Sequence, residues 1–376
     1  MKKDNFYVAL LCGIVAFTAG IVAVMFVISI HGGNVSALVR MDPLEPMAAV
    51  ARGFDEDFVL LPEGHYDGVY AYTIAIDPIA SGTHHDLIDY PAYRYGRAGY
   101  AWVSGFFTFG RASALPLTLV GLNLISLAIA GYAVSRLAVL FDWPALSGMA
   151  IALNPGILIG TTLDTSEPFS AALMALGLLA WFHRRHVVAA ALLALLCLVK
   201  ELFIAVPIGL LIWELTRGDR AWSTRRADVL LLGSTLLPLG IWWVYLYGVF
   251  GEWPFAQPWL VDSPGIGYLD TMFRAAVLSS AGFDQNQIGI LSLCLVLVVA
   301  LAIVFAAVRA FRARTPIDMI FLGFVAIVSA LSWWQLLYPK ELFRVLAIPL
   351  LLIPAVLAGY SGEWKGDATE EEADLS

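Results

Sequence analysis

The residues best placed to do chemistry sit in one polar stretch, Glu63-Gly64-His65-Tyr66-Asp67-Gly68-Val69-Tyr70. Gly68 beside Asp67 lets the backbone turn sharply and come close to a ligand. A carboxylate there, at the mouth of an apolar bundle, suits a general base. Partial desolvation raises its pKa and favours removal of a proton from a hydroxyl. The plainer role for Asp67 is an Asx-type turn, and both readings stand. His65 lies two residues away. It suits a donor to phosphate or an assistant to the base, and a lone histidine can equally be incidental. His84-His85-Asp86 with Asp89 offers metal-ligand types. Adjacent histidines do not share a helix face, however, and no fourth ligand follows. A solvated loop is the better reading of that group.

Tyr93, Arg94, Tyr95 and Arg97 form a second group. The planar guanidinium fork suits phosphate, and aromatic rings suit sugar faces or a membrane interface. An interfacial anchor for a helix starting at Arg97 explains these residues equally well. Asp164-Thr165-Ser166-Glu167-Pro168 is a third group. Ser166 can cap the next helix, Pro168 fits its first turn, and Glu167 favours its N-terminus. That structural role is sufficient, yet Asp164 and Glu167 are expected to face the same outer vestibule as the first loop. Lys200-Glu201 and Lys340-Glu341 with Arg344 complete the set. Ionisable groups at membrane depth are functional candidates. Lys200 and Glu201 can simply neutralise each other. Cations facing an anionic lipid phosphate are the sharper alternative.

The elements that must position these groups are apolar. Of 376 residues 60% are hydrophobic and only 14% charged, with a mean hydropathy of +0.79. Soluble domains carry about 25% charged residues, so a polytopic membrane protein with one membrane domain is expected. The formal charge of -8 comes without a basic stripe, which excludes a nucleic-acid footprint. Part of it lies in the tail Glu370-Glu371-Glu372-Ala373-Asp374. Cys12, Cys197 and Cys294 all lie in apolar runs, with no disulfide or metal spacing.

The run from Phe6 to Ile30 is long enough for an uncleaved first membrane helix. Between His31 and Leu115 ten acids stand against five arginines. Within that region Val69 to Ile76 fits helix or strand by period, and Pro78 ends it. The aromatic-rich part from Arg97 to Phe109 suits a helix at the interface. Further spans are expected over 115–137, 144–162, 166–182, 187–200, 202–216, 227–249, 287–308, 316–337 and 345–361. Basic clusters at Lys2-Lys3, Arg136, His183 to His186, Arg217 to Arg226 and Arg309 to Arg314 orient them. With all of these inside, about ten segments leave both termini cytoplasmic and the long first loop outside. Val187 to Thr216 would be about 45 Å long as one helix, too long for one upright span. Two short helices turning at Lys200-Glu201 resolve this, with that pair in a covered pocket. No repeat and no matching pair of broken helices is legible, which weighs against a transporter.

Taken together, one motif set resembles a known family. Tyr66-Asp67-Gly68-Val69-Tyr70-Ala71-Tyr72 and Ala75-Ile76-Asp77-Pro78 follow a single N-terminal helix. Tyr90-Pro91-Ala92-Tyr93-Arg94-Tyr95, Leu153-Asn154-Pro155-Gly156, Asp164 to Pro168 and Leu198-Val199-Lys200-Glu201 come later. The chain, from about Phe6 to Tyr360, resembles the GT-C superfamily of integral-membrane glycosyltransferases, in particular bacterial relatives of PIG-V-type mannosyltransferases. The resemblance implies an all-α polytopic fold, with residues 1–361 as one transmembrane domain. Residues 31–114 would be the extracytoplasmic catalytic loop with interfacial helices, and residues 362–376 a disordered, acidic cytoplasmic tail.

It also implies a hexosyl donor on a polyprenyl phosphate, a glycan or lipid acceptor, membrane lipid as a partner, and a site on the outer face of a bacterial plasma (inner) membrane. Asp67 maps onto the loop acid that serves as base. Arg94, Lys200 and Arg344 are then candidate phosphate contacts. Glu167 and Tyr93 shape the acceptor or sugar pocket, and His65, Arg97, Asp164, Glu201 and Lys340 are further candidate substrate-binding residues. Many members carry two adjacent acids where this chain has Asp67-Gly68, with Glu63 the nearest acid upstream. That departure leaves a divalent metal open as a cofactor, and no metal ligand is assigned. A transporter or flippase for a lipid-linked or anionic solute is the rival class. A non-catalytic scaffold ranks last, because it gives the clustered outer charges no purpose.

Overall fold

The computed structural model describes residues 3–62, 64–216, 222–256, 263–279 and 283–358. Glu63, residues 217–221 of one basic cluster and the tail from 362 onward lie outside them. Every regular element among the described residues is a helix. The first, α1 (Lys3–Ser29), is 27 residues long and apolar around its whole circumference. At 1.5 Å per residue it is about 40 Å long, enough to cross a bilayer. It packs along the later helix Leu115–Leu140 through small residues. A Cβ on Gly131 would lie 2.7 Å from the Cys12 carbonyl oxygen, so only glycine permits this backbone approach.

The polar region after α1 contains α2 (Met47–Phe54), α3 (Asp67–Ile76), α4 (Pro91–Tyr95) and α5 (Gly99–Phe106). The run Val69 to Ile76 is therefore helix. Asp67 stands in its first turn, where a negative charge favours the helix dipole. Pro78 follows its end. The aromatic segment from Arg97 to Phe109 forms the shorter helix α5 and a turn. Phe106, Phe107 and Phe109 are exposed there.

Helix α6 (Leu115–Leu140) leads to α7 (Ala150–Leu153) and α8 (Pro155–Thr162). The chain bends by 52° between these last two. Asn154 sits at the bend, accepts the Ile157 N–H as a cap and precedes Pro155 in the first turn. Next come α9 (Glu167–Phe182) and α10 (His186–Val199). Lys200 is extended, a short 3-10 turn Glu201–Ile204 follows, and α11 (Ala205–Thr216) resumes. The expected break at Lys200-Glu201 is present.

The second half holds α12 (Trp222–Ser234), α13 (Leu237–Phe250), α14 (Ile266–Ser279), α15 (Phe283–Ala313) and α16 (Pro316–Val328). A capping box of Thr315 and Asp318 starts α16. It closes with α17 (Trp333–Leu336), α18 (Pro339–Val345) and α19 (Ala347–Ala358), the last two meeting at 61°.

Among the described residues four helical stretches are long and apolar enough to cross a membrane: Asp4–Ser29, Ala112–Leu140, Arg225–Phe250 and Ile290–Ala313. The number is six if each bent pair counts as one span. The chain accordingly reads as a membrane protein. Four other expected spans are apolar but short, at 16, 14, 12 and 13 residues for α9, α10, α11 and α16. A straight crossing takes about 20. The two bent pairs add breaks at Asn154 and Leu346 that the sequence reading did not place, beside the one it expected at Lys200-Glu201. They touch one another: Asn154 Nδ2 donates to the Ala347 carbonyl at 2.9 Å.

Candidate functional site

Charged side chains from five separate segments meet beside the N-terminus of α3. Asp67 lies between two arginines. Arg94 Nη1, from α4, donates to Oδ1 at 3.3 Å, and Arg344 Nη1, from α18, donates to Oδ2. Gly68 makes this position accessible. A Cβ there would lie 2.8 Å from the Val39 oxygen and 3.0 Å from the Leu163 oxygen, so the start of α3 is wedged against two backbones. Burial alone would raise the Asp67 carboxyl, but Arg344 and Arg94 outweigh it and hold it well below the usual carboxylate range. The expected raised base is therefore not present while both arginines stay in place.

The ion pairs continue on both sides. Arg94 Nε donates to Asp89 at 3.2 Å, and its guanidinium lies 3.6 Å from the Tyr70 ring centroid. Arg344 Nη2 donates to Glu341 at 2.9 Å, and its Nη1 lies 3.6 Å from Glu167. Glu167 accepts from Lys200 Nζ at 2.9 Å and from the Thr165 hydroxyl. The result is a continuous chain Asp89–Arg94–Asp67–Arg344–Glu167–Lys200. Arg97 stands beside it, with Nε donating to Glu201 at 2.7 Å and its guanidinium 4.2 Å over Tyr93.

Local sequence explains several of these placements. The break after Val199 turns Lys200 toward α9. Glu167 is the first residue of α9, with Pro168 behind it. Asp164 adopts φ 47°, in the left-handed region, and the Thr165 N–H returns to Gly160 O at 3.0 Å. That geometry closes α8. The Asp164 side chain is fully buried, and neither carboxyl oxygen has a hydrogen-bond partner.

Asp67, Arg94, Arg97, Asp164, Glu167, Lys200 and Arg344 line one cavity of about 60 Å³. Four expected residues stand outside it. Tyr93 is buried beneath the two arginines, at 5.2 Å from Arg94. Glu201 reaches the site only through Arg97. Lys340 is half-exposed, 3.6 Å from Glu341 and 4.2 Å over the Tyr66 ring. His65 is also half-exposed. Its Nδ1 lies 3.0 Å from Glu45, and its Nε2 lies 2.9 Å from the Tyr70 hydroxyl. The bond to Glu45 raises its pKa against its partial burial.

Sequence reasoning gave no role to Tyr66 or Tyr70, and named Glu341 only with Lys340 and Arg344 as a membrane-depth charge. Tyr66 donates its hydroxyl to Glu341, and burial pushes that hydroxyl up, so it stays a neutral donor. Tyr66 and Tyr70 are four residues apart on either side of Asp67. That helical spacing was the available signal.

An apolar groove of about 490 Å³ is lined by Ala75, Pro78, Ile79, Trp102, Gly105 and Phe106, from α3, the turn after it and α5. The same two helices, α3 and α5, give Ala71, Ile74 and Ala101 to the polar cavity. Among the described residues no group of three or more His, Cys, Asp and Glu side chains is placed to hold a metal ion. The carboxylates at the cavity are occupied by cations, apart from Asp164, which stands alone. This donor set does not fit a divalent ion. No family model, curated protein or solved structure matches the chain.

Proposed function

We propose that the chain is a GT-C-like membrane glycosyltransferase. It moves a hexose from a polyprenyl phosphate to an acceptor hydroxyl on a glycan or lipid, at the extracytoplasmic face of a bacterial plasma membrane. About ten spanning or partly spanning helices form its membrane domain, with both termini cytoplasmic. The observation that carries this reading is Asp67 between Arg94 and Arg344, at a cavity that shares α3 and α5 with an apolar groove. Cations suit the donor phosphate. The groove suits an isoprenoid chain that reaches the site from lipid.

The step balances simply. The acceptor oxygen forms a bond to the anomeric carbon as that carbon's bond to the phosphate oxygen breaks. The bonding electrons leave on the phosphate, where Arg94, Lys200 and Arg344 stabilise them. The acceptor proton passes to Asp67. Glu167 positions Lys200 and Arg344 for this role, and Asp164 and Tyr93 shape the pocket wall.

Purified protein supplied with a polyprenyl-phosphate hexose is the direct test. Asp67→Asn should lower transfer by about 100-fold or more. Full transfer by folded Asp67→Asn protein would remove the base from the scheme. The second reading, a transporter for an anionic or lipid-linked solute, is favoured by the two touching bent pairs. Discontinuous helices often build transporter sites. Accumulation of such a solute in vesicles, with no glycosidic product, would select it.

A further inference from the structure

The Asp67 carboxylate occupies the place that an anionic ligand would take. One oxygen goes to Arg94 and the other to Arg344. Each guanidinium is braced from behind: Arg94 by the Tyr70 ring and Asp89, Arg344 by Glu341 and, at 5.0 Å, the Tyr66 ring. Their side chains are only 13% and 11% exposed. Two fixed forks sharing the oxygens of one anion is also how phosphate is held. The space beside them, about 60 Å³, admits a few waters. Ligand pockets are commonly about 300 Å³ or more. A phosphate ester has no room to approach both arginines while the carboxylate remains between them.

We propose that Asp67 is a built-in stand-in ligand, displaced from the Arg94–Arg344 pair when a phosphate binds, and that only the displaced carboxylate acts as base. The phosphate is that of an isoprenoid ester or the free ion. This rests on the reading of the cavity as a phosphate site, and it adds an order of events. While paired, Asp67 holds a proton too weakly to be an effective base. Once the phosphate has taken its two arginines, the carboxylate regains its basicity beside the bond to be broken. The base is armed only when the donor is present. The pairing also weakens the apparent affinity for phosphate, because only the unpaired fraction of the protein can bind.

Binding of radiolabelled inorganic phosphate to the purified full-length chain tests this. Asp67→Asn and Asp67→Ala should both bind phosphate at least about ten-fold more tightly than the wild type. Asp89→Asn is the control. It removes an acid from the same Arg94 but leaves the place between the two arginines filled, so a gain under about three-fold is expected. Equal or weaker binding by the Asp67 variants overturns the proposal. So does an equal gain in Asp89→Asn, which would mark a general charge effect. If the Asp67 variants do not fold unaided, saturating phosphate should restore them by filling the same place. Failure to restore them would show a structural brace that no anion replaces, and would also overturn it.

A short isoprenyl phosphate forms the second arm. Tighter binding than inorganic phosphate identifies a lipid source, and equal binding a free one, with displacement upheld in both cases. Tightened binding without sugar transfer by the wild type upholds the displacement and removes the transferase. Transfer without tightening does the reverse.

Discussion

Asp77 is a carboxylate whose contacts account for it fully. It is buried just past α3 and accepts the N–H groups of Ser81 and Gly82, each at 3.0 Å. His85 Nδ1 lies 3.3 Å away. Burial opposes its charge, but the Gly82 N–H, His85 and the Ser81 N–H outweigh burial and hold its pKa below the ordinary 3.8. The stabilisation is therefore complete above that value and is lost as pH falls through the lower, folded pKa. Asp77→Asn should cost about 1–3 kcal/mol near neutrality. Its thermal unfolding in detergent should also respond less to acid than the wild type below about pH 4. Parallel acid limbs for the two proteins would assign the acid sensitivity elsewhere. The end of the helix was legible in Pro78, but the loop that Asp77 closes onto Ser81 and Gly82 was not read from the sequence. The Asp67 pairing was not either. Both charges were visible, but 277 residues separate Asp67 from Arg344, and no local pattern records such a contact.

At the scale of elements, the two bent helix pairs decide where Arg344 stands. Helix α8 meets α18 so closely that a Cβ on Gly156 would lie 1.9 Å from the Phe343 oxygen and 2.6 Å from its carbon. These are backbone atoms and cannot move aside alone. Arg344 is the next residue, so Gly156→Ala should push α18 away and loosen the pair with Asp67. We expect a loss of at least about 1–3 kcal/mol by thermal unfolding, with altered phosphate binding. Gly121→Ala is the matched control in α6, where an added Cβ meets nothing within 4 Å. It should be neutral or stabilising by up to about 1 kcal/mol. Equal damage in both would mean that contact with α18 is not the cause. The break at Lys200 was legible because the apolar run was too long for one span. The bend at Asn154 was not, since residues 144–162 have the right length for a single crossing. Asn154-Pro155 is the local break signal there, and the contacts of Asn154 with Ala347 and of Gly156 with α18 accompany the bend.

For the whole molecule, the number of crossings turns on α9. It has 16 residues, about 24 Å at 1.5 Å per residue, against a hydrocarbon core of about 30 Å. A helix this short crosses only where the bilayer thins or its neighbours cover its ends. Its C-terminal end carries His183-Arg184-Arg185-His186, which favours a cytoplasmic position. If α6, the α7–α8 pair and α9 all cross, then Asp86 in the first loop and Arg185 lie on opposite faces. If α9 turns back instead, they lie on the same face. Cysteine labelling separates the two cases cleanly. Cys12 and Cys197 are buried, so only the exposed Cys294 must first be replaced by serine. In right-side-out vesicles, a membrane-impermeant maleimide should label Asp86→Cys at once, and Arg185→Cys only after permeabilisation. Immediate labelling of both would make α9 re-entrant, with the ion chain still on the outer side. The reversed pattern, Arg185→Cys first, would put the Asp67 cavity on the cytoplasmic face. That result would remove the outer-face transferase while leaving the anion site between Arg94 and Arg344 intact.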